Sequence, residues 1–170
     1  MFEFSKIIFD RWIERLKQGH KLCIPSFQIW IWNLLAGNSG QPITNTPCGQ
    51  AQSMLFVDKD GSIYACGPFS YHAETVFGNI KDTDFESIKL NDLYRKFADR
   101  STDDVAECID CPLQGLCKGG CPANSYRQFK DINQKDPFCD YWQAIISYIM
   151  TRVAEDPEIL NLIPDYTIRL

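Results

Sequence analysis

Cys108-Ile-Asp-Cys111-Pro-Leu-Gln-Gly-Leu-Cys117-Lys-Gly-Gly-Cys121 packs four thiols into fourteen residues. Buried structural cysteines occur singly among aliphatic residues, whereas these lie beside Gly, Pro, Asp and Lys. Closely spaced thiolates repel one another unless something cationic compensates them, so the stretch implies bound metal or disulfides. Outward from it the same grammar continues, as Cys48-x12-Gly61-x4-Cys66 upstream and x17-Cys139 downstream, and takes in seven of the eight cysteines.

Iron–sulfur chemistry suits the spacing best. Three thiolates on a wrapping loop and a fourth from elsewhere hold a 4Fe–4S cube. Cys108-x2-Cys111-x5-Cys117 provides such a loop, and Lys118-Gly119-Gly120 lets backbone approach a cofactor closely. Zinc is the rival, but only one Cys-x2-Cys knuckle is present and seven cysteines do not divide into tetrahedral fours. A disulfide framework comes third. The N-terminus has Glu3 and no apolar h-region, so no secretion signal is read. The expected location is therefore the reducing cytoplasm, where cysteine frameworks bind metal.

Net charge is −5, from 17 Lys+Arg against 22 Asp+Glu, with no local basic run. Nucleic-acid binding needs a basic face to neutralise phosphates and is not expected. The most apolar stretch, Phe27 to Ala36, includes Gln28 and Asn33. It falls short of the roughly 20 residues that span a bilayer, so no membrane partner is expected either.

Periodicity predicts an amphipathic helix over residues 2–18, with Phe4, Ile7, Ile8, Trp12, Ile13 and Leu16 at helical spacing and Gly19 as its stop. A second helical stripe (Phe27, Trp30, Ile31, Leu34, Leu35) ends at Gly37; a strand over Gln28–Trp32 is the alternative. Residues 37–47 read as a linker. Met54–Asp58 and Ser62–Cys66 form a hairpin about Lys59-Asp60-Gly61, where Gly61 supplies positive φ and the register places the Cys66 thiol. No EF-hand is formed, since the glycine comes too early and no glutamate closes the loop. One helix is expected over 84–98, nothing regular over 108–121, and a final helix over 138–153. Tyr141, Ile145, Tyr148 and Ile149 share one face of that helix, and Cys139 sits in its first turn, where the helix dipole favours an anion. The division is thus 1–47 helical preamble, 48–155 cysteine-rich domain and 156–170 tail.

With Phe77-Gly-Asn-Ile80 between its halves and Leu116-Cys-Lys-Gly-Gly-Cys-Pro122 in its second half, the seven-cysteine pattern resembles the SPASM domain. That domain is the C-terminal auxiliary-cluster part of radical S-adenosylmethionine enzymes that modify peptides and proteins. The resemblance covers residues 48 to about 145, and residues 1–47 are similar to the helices that join the catalytic barrel to it. It implies an α+β fold organised around two 4Fe–4S clusters. Carried over by position, Cys48, Cys66 and Cys121 hold the first, and Cys108, Cys111, Cys117 and Cys139 the second. Some members add a fourth ligand to the first cluster from just upstream, where this chain has no cysteine. Cys23 is a candidate if the preamble folds back, although a small buried residue between Leu22 and Ile24 is the plainer reading.

Two departures qualify the resemblance. The Cys-x3-Cys-x2-Cys triad of the radical core is absent, since Cys117-x3-Cys121 is followed by Asn124. S-adenosylmethionine would thus act only through a core this chain lacks, and the chain alone is not expected to be catalytic. Sulfatase-maturing members place a catalytic aspartate directly after the cysteine aligned with Cys66; here it is Gly67, so that activity is not implied. The implied partners are a radical barrel and a substrate peptide, and the implied roles are electron relay or peptide binding. A stand-alone electron carrier or peptide-recognition module, or a zinc-stabilised structural domain, remain the alternatives. His20 reads as an exposed helix end, His72 as a surface histidine, and Trp12, Trp30, Trp32 and Trp142 as core or interface aromatics.

Overall fold

The computed structural model of the chain describes residues 1–36 and 49–163, and for residues 29, 32, 33, 35 and 36 the backbone alone. The linker at 37–47 and Cys48 lie outside the described residues. The order of elements is α1 (Phe2–Lys17), α2 (Pro25–Ala36), β1 (Phe56–Val57), β2 (Ser62–Tyr64), β3 (Gly78–Asn79), α3 (Phe85–Leu90), α4 (Asp92–Ala98), α5 (Gln114–Cys117), α6 (Pro122–Phe129), α7 (Cys139–Glu155) and α8 (Ile159–Leu162). This is an α+β fold, as expected, with a small antiparallel sheet in the order β1-β2-β3.

Two cores organise it. The first is helical: Phe9, Trp12 and Ile13 of α1, Phe27, Trp30 and Ile31 of α2, Ile145, Ile146 and Ile149 of α7, and Ile159 of α8. Trp30 and Ile31 are adjacent and both buried, which a strand with alternating faces does not do; the segment is helical, and the strand alternative fails. Fully burying each of these large apolar side chains contributes about 1.5–3 kcal/mol, so the stripe at helical spacing docks α1 and α2 onto α7. Tyr148 ties α1 down further by donating to Asp10 at 2.7 Å, beside an Arg152–Asp10 ion pair at 3.2 Å.

The second core joins the sheet to α3, α4 and α6 through Ile63, Ala65, Phe69, Phe77, Ile88, Phe97, Ala123 and Ile132. The hairpin forms as predicted, with Phe56 opposite Tyr64 and Val57 opposite Ile63. Gly61 has φ +93°, and a Cβ there would fall 2.7 Å from Asn79 Oδ1, so glycine is required twice over. The third strand was not expected: Gly78 and Asn79 pair with Ile63 and Ser62.

Three helical readings need correction. The single helix over 84–98 is two, because Asn91 adopts an extended backbone and caps α4, its side chain accepting from Leu93 N at 2.8 Å while its amide donates to Phe77 O. The segment 108–121 contains one regular turn, α5. Helix α6 follows it, unpredicted, although Pro122 at its first turn is a known start signal. No helix among the described residues is long and apolar enough to cross a membrane.

Candidate metal centre

The chain reaches the centre through three consecutive left-handed residues. Lys118, Gly119 and Gly120 have φ of +57°, +77° and +71°. This turn separates two cysteines that are close in sequence. Cys117, at the end of α5, packs against the helical core; Cys121, at the start of α6, packs against the sheet core, as Cys66 does. The turn admits nothing larger than glycine at position 120, where a Cβ would lie 2.4 Å from Asp136 Oδ2.

Cys108, Cys111, Cys117 and Cys139 line one cavity, together with Glu107, Leu113, Gln114, Gly119, Gly120, Lys135, Asp136, Trp142 and Gln143. All four carry unpaired thiols. Cys139 is the first residue of α7, at the positive end of the helix dipole, which favours negative charge; its own N–H donates to Asp136 O at 2.9 Å. Burial pushes the Cys117 thiol up to about 12, and it also raises Cys108 and Cys139, with Cys108 further raised by its neighbours Cys139 and Cys111. Lys135 works the other way on Cys139, and the lysine's own pKa is raised, chiefly by that thiol. Gln143 Nε2 lies 4.0 Å from Cys111 Sγ. Desolvated thiols that raise one another's pKa form a site that stores its negative charge only when a cation arrives.

Among the described residues, no three His, Cys, Asp or Glu side chains converge on one metal ion. A 4Fe–4S cube does not ask for that, because each iron takes a single protein thiolate. The donor set, four thiols from a loop and a helix start, fits such a cluster in its chemistry.

Asp136 binds the two sides together. It is 2% exposed. Its Oδ2 accepts from Cys121 N at 2.7 Å, Trp142 Nε1 at 3.1 Å and Asn124 Nδ2 at 3.3 Å, and its Oδ1 from Phe138 N at 2.8 Å. Sequence reading missed it, although an Asp-Pro step just before a helix was the available signal.

On the sheet side, the Cys66 thiol donates to Gln50 Oε1 at 3.5 Å. Gln50 is 2% exposed, and its Nε2 has no acceptor among the described residues. Cys23 is not the small buried residue expected of it: it is exposed in the α1–α2 loop and donates to Gln28 Oε1 at 2.7 Å. His20 is exposed, as expected. His72 is half-buried, its Nδ1 3.1 Å from Lys130 Nζ and its ring edge-on to Tyr126.

Beside Cys66 and Cys121 opens a groove of about 730 Å³, lined by Phe56, Gly67, Pro68, Ser70, Tyr71, His72, Ala123, Asn124 and Arg127. Among the described residues, no acidic side chain lines it.

Comparison with known proteins supports iron–sulfur binding by part of the chain. Residues 48–112 match the SPASM family, an iron–sulfur cluster-binding domain. That segment takes in Cys48, Cys66, Cys108 and Cys111. An uncharacterized protein of Archaeoglobus fulgidus is 29% identical over 147 residues, 85% of this chain and 35% of its own length. A cysteine-type anaerobic sulfatase-maturating enzyme of Clostridium novyi is 25% identical, over 83% of this chain and 37% of its own. Among solved structures, anSMEcpe with bound AdoMet superposes with a TM-score of 0.74 at 24% identity, covering 96% of this chain and 41% of that one. The same protein has been solved with AdoMet and a Cp18Cys peptide. The chain thus spans well under half the length of these relatives.

Proposed function

Taking residues 48–112 as a match to the SPASM iron–sulfur domain, we propose that the chain is the auxiliary-cluster part of a radical S-adenosylmethionine peptide maturase. Residues 48–155 form the cluster-bearing unit, and residues 1–47 connect it to a catalytic barrel, in the same or a separate chain. Cys48, Cys66 and Cys121 hold one 4Fe–4S cluster; Cys108, Cys111, Cys117 and Cys139 hold a second. When bound, these clusters supply one-electron transfer. The chain's own residues keep the site dry, compensate charge through Lys135 and the start of α7, and hold the two cysteine sets apart through Asp136. The setting is the cytoplasm, where thiols stay reduced.

One observation carries this reading. The left-handed turn at 118–120 sends Cys117 and Cys121 to different cores: Cys117 lines the cavity of Cys108, Cys111 and Cys139, and Cys121 packs into the same core as Cys66. The groove next to Cys66 and Cys121 supports a place for the substrate peptide, with Arg127 as a cation at its edge. Gly67 lies in that groove where sulfatase maturases carry an aspartate, so the substrate is proposed to be a different peptide.

Anaerobic reconstitution tests the assignment. About eight iron and eight sulfide per chain are expected after loading. Saturation at about four iron would remove one of the two sites, and uptake of zinc alone would overturn the assignment.

A further inference from the structure

Gln50 is a poor choice for a purely structural position. It is 2% exposed, and its Nε2 finds no acceptor among the described residues. A buried amide donor without a partner is costly, whereas a leucine of similar size would leave nothing unsatisfied. The partner it does have, the Cys66 thiol at 3.5 Å, is a weak donor to its oxygen.

The turn that carries Gln50 is itself strained. Gly49 O accepts from the backbone N–H of Gln52, Ser53 and Met54, and Ala51 N donates to Met54 O at 2.9 Å. Closing this turn forces Ala51 to φ +61°, a left-handed conformation unfavourable for a residue with a Cβ. Strain of this kind persists where surrounding structure holds a side chain to a task.

We propose that Gln50 is a positioning residue for the cluster assigned to Cys66, donating an N–H···S hydrogen bond to the Cys66 sulfur. This rests on the proposed role of Cys66 as a ligand. A metal-bound thiolate has lost its proton and can only accept. The carboxamide carries its oxygen and its NH₂ on arms of nearly equal shape, so a half-turn of its end brings N–H to the sulfur in place of oxygen. A contact that is weak in the thiol form becomes a charge-assisted bond in the thiolate form. Hydrogen bonds to cluster sulfurs stabilise the more negative, reduced state and raise its potential.

Protein grown with glutamine carrying the heavy nitrogen isotope in its side-chain amide, then reconstituted and reduced, is the direct test. Pulsed electron paramagnetic resonance should show a coupling from that nitrogen that disappears in Gln50→Leu and survives in Gln114→Leu and Gln143→Leu. In loaded Gln50→Leu and Gln50→Glu, one cluster should become harder to reduce while the other keeps its potential. Glutamate matches glutamine in size, but its own charge also lowers the potential, so the shift in Gln50→Leu carries the reading and the labelled nitrogen separates a lost bond from lost packing. A fully loaded wild type with no such coupling, or a loaded Gln50→Leu with both potentials unmoved, overturns the role of Gln50 and leaves Cys66 as ligand. A wild type whose iron content is indifferent to Cys66→Ala removes the ligand assignment and this inference together. Where both Gln50 variants fail to load, a labelled wild type without the coupling overturns the role, and a coupling that survives in both Gln114→Leu and Gln143→Leu supports it.

Discussion

The carboxylate of Asp136 accepts the backbone N–H of Cys121 at 2.7 Å. This single bond spans the seam between the two cores, because Asp136 lines the cavity of Cys108, Cys111, Cys117 and Cys139 while Cys121 packs with Cys66 on the sheet side. The same side chain takes the Trp142 indole N–H and the Phe138 N–H that leads into α7. One buried group therefore sets the distance between the two cysteine sets and the start of the helix that presents Cys139.

Asp136→Ala should be among the most damaging substitutions outside the cysteines. It leaves several buried donors without an acceptor, at a cost of about 3 kcal/mol or more. Asp136→Asn keeps one accepting oxygen and should cost about half of that. Denaturant unfolding gives the two values, and iron content should fall at both sites in the alanine variant. Loss confined to one site would show that Asp136 does not bridge them.

Two glycines a short way apart make opposite predictions. Gly120→Ala puts a Cβ 2.4 Å from Asp136 Oδ2 at φ +71° and should destabilise the fold by about 2 kcal/mol or more. Gly115→Ala lies in α5 with nothing within 4 Å and should be neutral or stabilising by up to about 1 kcal/mol. Equal thermal shifts for the two would contradict the close approach of the 118–120 turn to Asp136.

Cys121→Ala should resemble Cys66→Ala in the spectroscopic signal it removes, and differ from Cys139→Ala. Proximity in sequence argues the reverse, as Cys121 is four residues from Cys117. If Cys121 and Cys139 variants lose the same signal, the partition of cysteines between the two cores does not describe the ligand sets.

Metal uptake should release protons and strengthen as pH rises. Burial holds Cys117 up at about 12 and raises Cys108 and Cys139 as well, so each thiol must give up a proton that the metal-free protein keeps at neutral pH. The metal-free fold carries the opposite dependence. Its raised thiol pKa values mean it binds more protons than the unfolded chain in the alkaline range, so its stability is full below the ordinary thiol range and falls as pH climbs toward about 12. Cobalt titrations at two pH values with proton counting, beside alkaline unfolding of metal-free protein, check both signs. Uptake that does not change with pH would contradict the protonated starting state.

Local chemistry made part of this protein readable in its sequence. The cysteine spacing announces a cluster-binding loop because the ligands of such a loop are neighbours along the chain. The hairpin about Gly61 and the stripes of α1 and α7 are readable for the same reason: turn geometry and helical period act within a few residues. Asn91 broke a predicted helix in two because its side chain was needed at Phe77, a partner no local pattern reveals. Helix α6 escaped notice because its buried face is made of small residues, Ala123 and Ser125, rather than an apolar stripe.

Only the tertiary structure decided which cysteine faces which core. Cys117 and Cys121 are indistinguishable by type and nearly so by position, and a left-handed turn between them sets their fates apart. Asp136 and Gln50 became visible in the same way. Their roles consist of buried bonds to residues far along the chain, and burial is a property of the packed whole. A sequence states which groups can bind a cluster; packing alone settles which of them meet.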